Sequence, residues 1–197
     1  MKFFLRVILS MSIMVVFTEL GFADEYTFRK TKWGMTVSQV KSSETLTVSD
    51  YQHEEGREGL TYKTTVINKS VLLIYLFVDN KLVNAMYSLQ ERHTNKNDYI
   101  TDYEDFKAVL ISKYGRPQTD EVLWKNDLFK NKGLFDNGTC ISLGHLQYAS
   151  VWETQDTTIV NRLYGENFNI SCGVVYFSRE LEELVKGYQK KKDKKAF

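Results

Sequence analysis

Val71-Leu72-Leu73-Ile74-Tyr75-Leu76-Phe77-Val78 decides the fold. Every position is apolar, so a strand made from this run reserves neither face for water, and it reads as a central β-strand covered on both sides. It is also the segment most prone to aggregate if it is exposed. Working outward, Asn68-Lys69-Ser70 precedes the run and Asp79-Asn80 follows it. Both have turn chemistry, and they join it to strands expected over 60–67 and 82–90 in a meander. The polar stretch 51–59 before the meander reads as a loop.

Upstream of that loop lies a helix start. Thr36 and Gln39 have the spacing of a capping box, and Met35 and Val40 occupy the two positions of a hydrophobic staple. The same order recurs downstream. Thr101 and Glu104 form a second Thr-x-x-Glu box, and Tyr103, Phe106, Leu110 and Tyr114 trace a helical apolar face. Gly115 and Pro117, the only proline, are placed to stop that helix. Strands are then expected over 122–125, 147–153, 157–163 and 168–177, and a last helix from Arg179 with Ser178 as cap. The capping threonines are 65 positions apart. The expectation is an α+β fold with helices packed on antiparallel sheet, arranged as two helix-plus-three-strand repeats over 28–95 and 96–185.

The amino terminus reads as an address. Lys2 and Arg6 precede an apolar stretch over 7–17, and Gly21 and Ala23 place small residues before Asp24. This is the pattern of a secretory signal peptide over 1–23, cleaved between Ala23 and Asp24. The apolar stretch is shorter than the roughly 20 residues a membrane-spanning helix needs. Export would make the protein periplasmic or secreted, soluble and without a lipid anchor, since no cysteine lies near the cleavage point. The chain carries 26 basic and 25 acidic residues, a formal net charge of +1. No global field therefore draws it to nucleic acid.

A resemblance appears in Phe28-Arg29-Lys30-Thr31-Lys32-Trp33-Gly34-Met35-Thr36 with Val40. The stretch resembles the opening of a broad group of uncharacterised exported bacterial proteins, which begin with Trp-Gly-Met-Ser/Thr and a valine four positions later. Phe77-Val78-Asp79-Asn80-Lys81-Leu82 and Lys113-Tyr114-Gly115-Arg116-Pro117 also resemble that group, and the likeness covers about half of the mature chain. Its layout is similar to that of the beta-lactamase inhibitor proteins and, more distantly, of the small lipoprotein of the outer-membrane assembly machine. The resemblance implies a compartment and a helix-on-sheet fold but no active site. The missing lipid-attachment cysteine departs from the small lipoprotein.

Chemistry-bearing motifs are sparse. His53, His93 and His145 are scattered, without metal-ligand spacing. The sequence contains no His-Glu-x-x-His, no Gly-x-Ser-x-Gly elbow and no phosphate-binding glycine loop. His53-Glu54-Glu55 reads as a solvated loop, and no metal or cofactor is expected. Cys140 and Cys172 have two open readings: a disulfide, which an oxidising compartment permits, or two buried thiols. Trp33, Trp124 and Trp152 are candidates for core packing or for an exposed aromatic platform.

Two segments are candidates for contact with partners. The stretch 126–144 lacks periodicity and repeats a Leu-Phe pair, Leu128-Phe129 and Leu134-Phe135. It reads either as a partner-binding tip or as a fold-back over the core. The tail 186–197 is lysine-rich: Lys186, Lys190, Lys191, Lys192, Lys194 and Lys195 stand against Asp193. It reads as a solvated helix end or as a weak anchor to an anionic membrane surface. The function expected is a non-enzymatic exported protein-binding or envelope-accessory module. The alternatives are a periplasmic or secreted hydrolase-like enzyme with its site between the two halves, and a peripheral envelope protein held by its tail.

Overall fold

Thr36 starts the first helix as its spacing requires: its Oγ1 accepts the Gln39 N–H at 3.3 Å, and the Gln39 side chain accepts the Thr36 N–H at 2.8 Å. The computed structural model describes residues 27–125, 127–130 and 135–195, and the signal-peptide expectation at Ala23 and Asp24 lies outside them. After α1 (Val37–Ser43) come four strands, β1 (Val48–Glu54), β2 (Arg57–Val66), β3 (Lys69–Val78) and β4 (Lys81–Leu89). Then follow α2 (Asp98–Tyr114), β5 (Thr119–Trp124), α3 (Asp127–Lys130) and α4 (Asn137–Ser142). The chain continues through β6 (Leu146–Glu153), β7 (Thr157–Glu166), β8 (Asn169–Ser178) and α5 (Glu182–Lys195).

The β2–β3, β3–β4 and β7–β8 hairpins close through two-residue turns with positive φ at both positions. Ile67 and Asn68, Asp79 and Asn80, and Asn167 and Phe168 all lie between 48° and 65°. This geometry matches the right-handed twist of the flanking strands. The first of these turns thus falls one residue earlier than expected.

All eight strands form one antiparallel sheet in the order β1-β2-β3-β4-β8-β7-β6-β5. The α+β expectation therefore stands, but three strands per half is corrected to four. Within the stretch 51–59 expected as loop, only Glu55 and Gly56 form a turn and the rest is strand of β1 and β2, because β1 is an exposed edge strand whose polar residues need not alternate. The sheet halves meet where β4 pairs β8, from Asn84 opposite Phe177 to Ser88 opposite Gly173. A Cβ on Gly173 would stand 2.2 Å from the Tyr87 carbonyl oxygen, so only glycine fits at this seam.

One face of the sheet carries the core. Tyr62, Leu73, Tyr75, Ile159, Leu163 and Trp152 are buried there, together with Val40 of α1 and Tyr103, Phe106 and Leu110 of α2. Burying each large apolar side chain contributes about 1.5–3 kcal/mol. Two helix starts differ from expectation. Helix α2 begins at Asp98 instead of near Thr101, and the Asn97 side chain accepts the Gly138 N–H at 2.8 Å instead of capping its own helix. Helix α5 begins at Glu182, with Ser178 Oγ accepting the Leu181 N–H at 3.2 Å.

Candidate functional site

Strand alternation sends every second residue to the face opposite the core. Register then lines these residues up across the whole sheet. Asp50, Thr61, Ile74, Met86, Val175, Val160, Val151 and Thr119 are successive directly paired neighbours from β1 to β5. The middle five are apolar, none belongs to the helix-covered core, and all but Val175 retain partial exposure. On one side of this band lies a second registered row with exposed Lys63 and Arg162. Arg162 is held over the Tyr164 ring at 5.0 Å. Gly173 belongs to that row, and a shallow depression of about 150 Å³ opens there, lined by Met86, Ser88, Arg162, Tyr164 and Val175 among others.

Helix α5 covers one end of this open face. On one flank it leaves a groove of about 380 Å³ above Leu76, Val78, Asn84 and Phe177. The Asn84 side-chain oxygen is buried in the structure without a hydrogen-bond partner. On the other flank a cleft of about 740 Å³ sets Glu54, Glu55 and Asp79 against Lys191, Lys192 and Lys194. Between the two cavities stands Tyr188, with its ring edge 3.3 Å from the place a Cβ on Gly56 would take. Gly56 also has φ +75°, so a side chain there would be strained as well as crowded.

The lysines read as a solvated helix end or as a membrane-surface anchor lie in the second half of α5. Lys190, Lys191, Lys192 and Lys194 are exposed, and Lys192 lies 3.6 Å from Glu54; the side chain of Lys195 is outside the described residues.

The titratable clusters hold elements together. Arg29 donates to both carboxylate oxygens of buried Glu44, at 2.8 and 3.0 Å, and Tyr75 donates to the same carboxylate. The Glu44 hydrogen bonds push the Arg29 guanidinium further above its ordinary value, against the opposing effect of burial. Near α2, buried Asp102 meets His93 Nε2 at 2.5 Å and Lys69 Nζ at 2.6 Å, and Asp105 meets Lys69 at 2.9 Å. This ties the end of the β2–β3 hairpin and the connection after β4 to one helix. The three histidines are not brought together: His53 sits on β1 beside Glu58, and His145 stacks on Phe129 with ring centroids 3.9 Å apart. Among the described residues no group of three or more His, Cys, Asp or Glu is arranged to hold a metal ion.

The remaining candidate residues fall as follows. Cys140 on α4 and Cys172 on β8 are both buried and stand as free thiols in the structure. Burial pushes both thiols above their ordinary range. Phe129 packs partly against the core while Phe135 is exposed and stacks on it at 6.2 Å. Leu134 and the Leu128 side chain lie outside the described residues. The tryptophans are not an exposed platform. Trp152 is buried and donates to the Gly115 carbonyl at 2.8 Å, Trp33 donates to Thr157 Oγ1 at 2.9 Å, and Trp124 is half-buried against the core.

The open-face band is not legible in the sequence. Its signal is present, since Val71 to Val78 is apolar on both faces, but the register that aligns the five residues comes from pairings a single strand does not reveal. No protein family, curated protein or solved structure matches this chain. No helix of the described residues is long and apolar enough to cross a membrane.

Proposed function

We propose that this is a non-enzymatic exported binding module whose open sheet face docks a folded protein partner of the cell envelope. The observation that carries the reading is the apolar band Ile74, Met86, Val175, Val160 and Val151, registered across the face that α1 and α2 leave uncovered. A contiguous apolar surface rimmed by charge is the usual mark of an interaction site. Affinity would come from the partly exposed band residues Ile74, Met86, Val160 and Val151, and orientation from the rim. The partner that fits presents an apolar patch flanked by carboxylates placed to meet Lys63 and Arg162. The signal-peptide pattern and the resemblance to exported bacterial proteins supply the compartment. The palindromic strand order supports descent of the two halves from one duplicated unit.

The test places a photo-crosslinking residue at Met86 or Val160, and as control at exposed Val109 on α2, in the protein expressed in its own cells. One defined adduct from the band positions, absent from Val109 and abolished by Ile74→Lys, is the expected outcome. Equal adducts from all three positions, or an adduct indifferent to Ile74→Lys, would reject the site. Since Ile74 is half-exposed, the substitution should leave the fold intact, which circular dichroism checks.

A further inference from the structure

Helix α5 joins two properties seldom combined in a helix that merely caps a fold. Leu181, Leu184, Val185 and Tyr188 recur at helical spacing along one side, with Leu181 just ahead of the first turn. Its second half carries Lys190, Lys191, Lys192, Lys194 and Lys195 against Asp193 alone. An apolar stripe that runs into a lysine-rich end gives such a helix both an apolar contact and a cationic one for the headgroup region of an anionic bilayer.

Its docking on the protein is correspondingly slight. Cavities of about 380 and 740 Å³ flank it, Val185 remains 39% exposed, and Tyr188 is the residue common to both cavities. What faces its basic end is a set of carboxylates, Glu54, Glu55 and Asp79, on the two hairpin turns beneath. Those carboxylates are the intramolecular counterpart of lipid phosphates.

We infer that α5 is an exchangeable helix: docked on the sheet through Tyr188 and the lysine–carboxylate contact, it transfers to an anionic phospholipid surface and uncovers the end of the sheet face at Leu76, Asn84 and Phe177. The two states compete for the same lysines and the same apolar stripe, so each excludes the other. Lipid shifts the equilibrium only by its differential affinity for the released helix, and weakening the docked contact shifts it the same way. The inference is independent of the protein-docking reading, and either can fail alone.

The full chain is mixed with phosphatidylglycerol vesicles and, separately, with phosphatidylcholine vesicles. Salt-sensitive sedimentation with the first and none with the second is expected. At about five-fold per lysine, Lys190→Gln, Lys191→Gln, Lys192→Gln and Lys194→Gln together should lower the affinity several hundred-fold. Glu54→Gln with Asp79→Asn should raise it by roughly three- to ten-fold, because the docked state loses its carboxylates. A thiol probe introduced beneath the helix by Asn84→Cys should react with a maleimide several-fold faster once phosphatidylglycerol vesicles are added. Any of four results overturns the inference: no binding to phosphatidylglycerol, equal binding to phosphatidylcholine or to polyglutamate, unchanged labelling of the Asn84→Cys variant in the bound state, or indifference to the loss of Glu54 and Asp79.

Discussion

Asp136 shows how much one side chain can decide. Its carboxylate accepts the Thr139 N–H at 2.9 Å and the Thr139 hydroxyl at 3.1 Å, and so starts α4, which carries buried Cys140 and Ile141 into the core. The Thr139 backbone N–H, chiefly, holds the Asp136 carboxyl below its ordinary value against the opposing effect of burial, with the Thr139 hydroxyl adding to it. A depressed folded-state value means that the cap contributes fully above the unfolded value of about 3.9 and loses its contribution as pH falls through the folded value. The protection of α4 amides relative to their intrinsic exchange rate should therefore fall on acidification below about pH 4. Asp136→Ala should remove that acid dependence and cost about 0.5–2 kcal/mol at neutral pH. An unchanged exchange profile in the variant would deny the cap its role. The two thiols give a second test at this scale. Cys140 and Cys172 are buried, and burial raises both, so neither should react with a thiol reagent in the native protein and both should react after denaturation. A mass lower by about two hydrogens, with no labelling in denaturant, would show a bridge instead.

Among the elements, those whose environment repeats along the chain are legible in the sequence and those made by a neighbour are not. Strand β3 is legible to within two residues because it is apolar throughout, but the expectation that both faces are covered is corrected: the core covers one face, while on the other Leu72, Ile74 and Leu76 keep partial exposure and α5 lies only over the Leu76 end. Strand β1 looks like a loop because its residues are exposed almost throughout, so no hydrophobic period marks it. The start of helix α2 is misplaced to Thr101, since a local box cannot reveal that Asn97 is engaged by α4. That joint is tight. A Cβ on Gly138 would come within 2.4 Å of the Lys96 carbonyl carbon and 2.5 Å of the Asn97 nitrogen, both backbone atoms that cannot swing aside. Gly138→Ala should separate α4 from the start of α2 and cost about 1–3 kcal/mol, the usual range for overpacking. Urea unfolding would show this as a lower midpoint at unchanged slope, and a wild-type midpoint would place the strain elsewhere.

Across the whole molecule, helix-on-sheet class and seven of the eight strands are visible in residue patterns, whereas the candidate site is not. The Leu-Phe pairs and the lysine run stand out as sequence, yet the strongest surface candidate is assembled from five strands, one residue from each. Such a site exists only in the register of Ile74 with Met86, Met86 with Val175, Val175 with Val160, and Val160 with Val151. The seam between β4 and β8 has a further consequence, in the timing of folding. Strand β4 ends at Leu89 and its partner begins at Asn169, roughly 80 residues later in the chain, so the inner edge of the first meander stays open until nearly all of the protein has been delivered. A chain delivered amino-end first would hold that edge, beside the apolar run of β3, unpaired until the last strand arrives, which is the interval in which it is most exposed to aggregation.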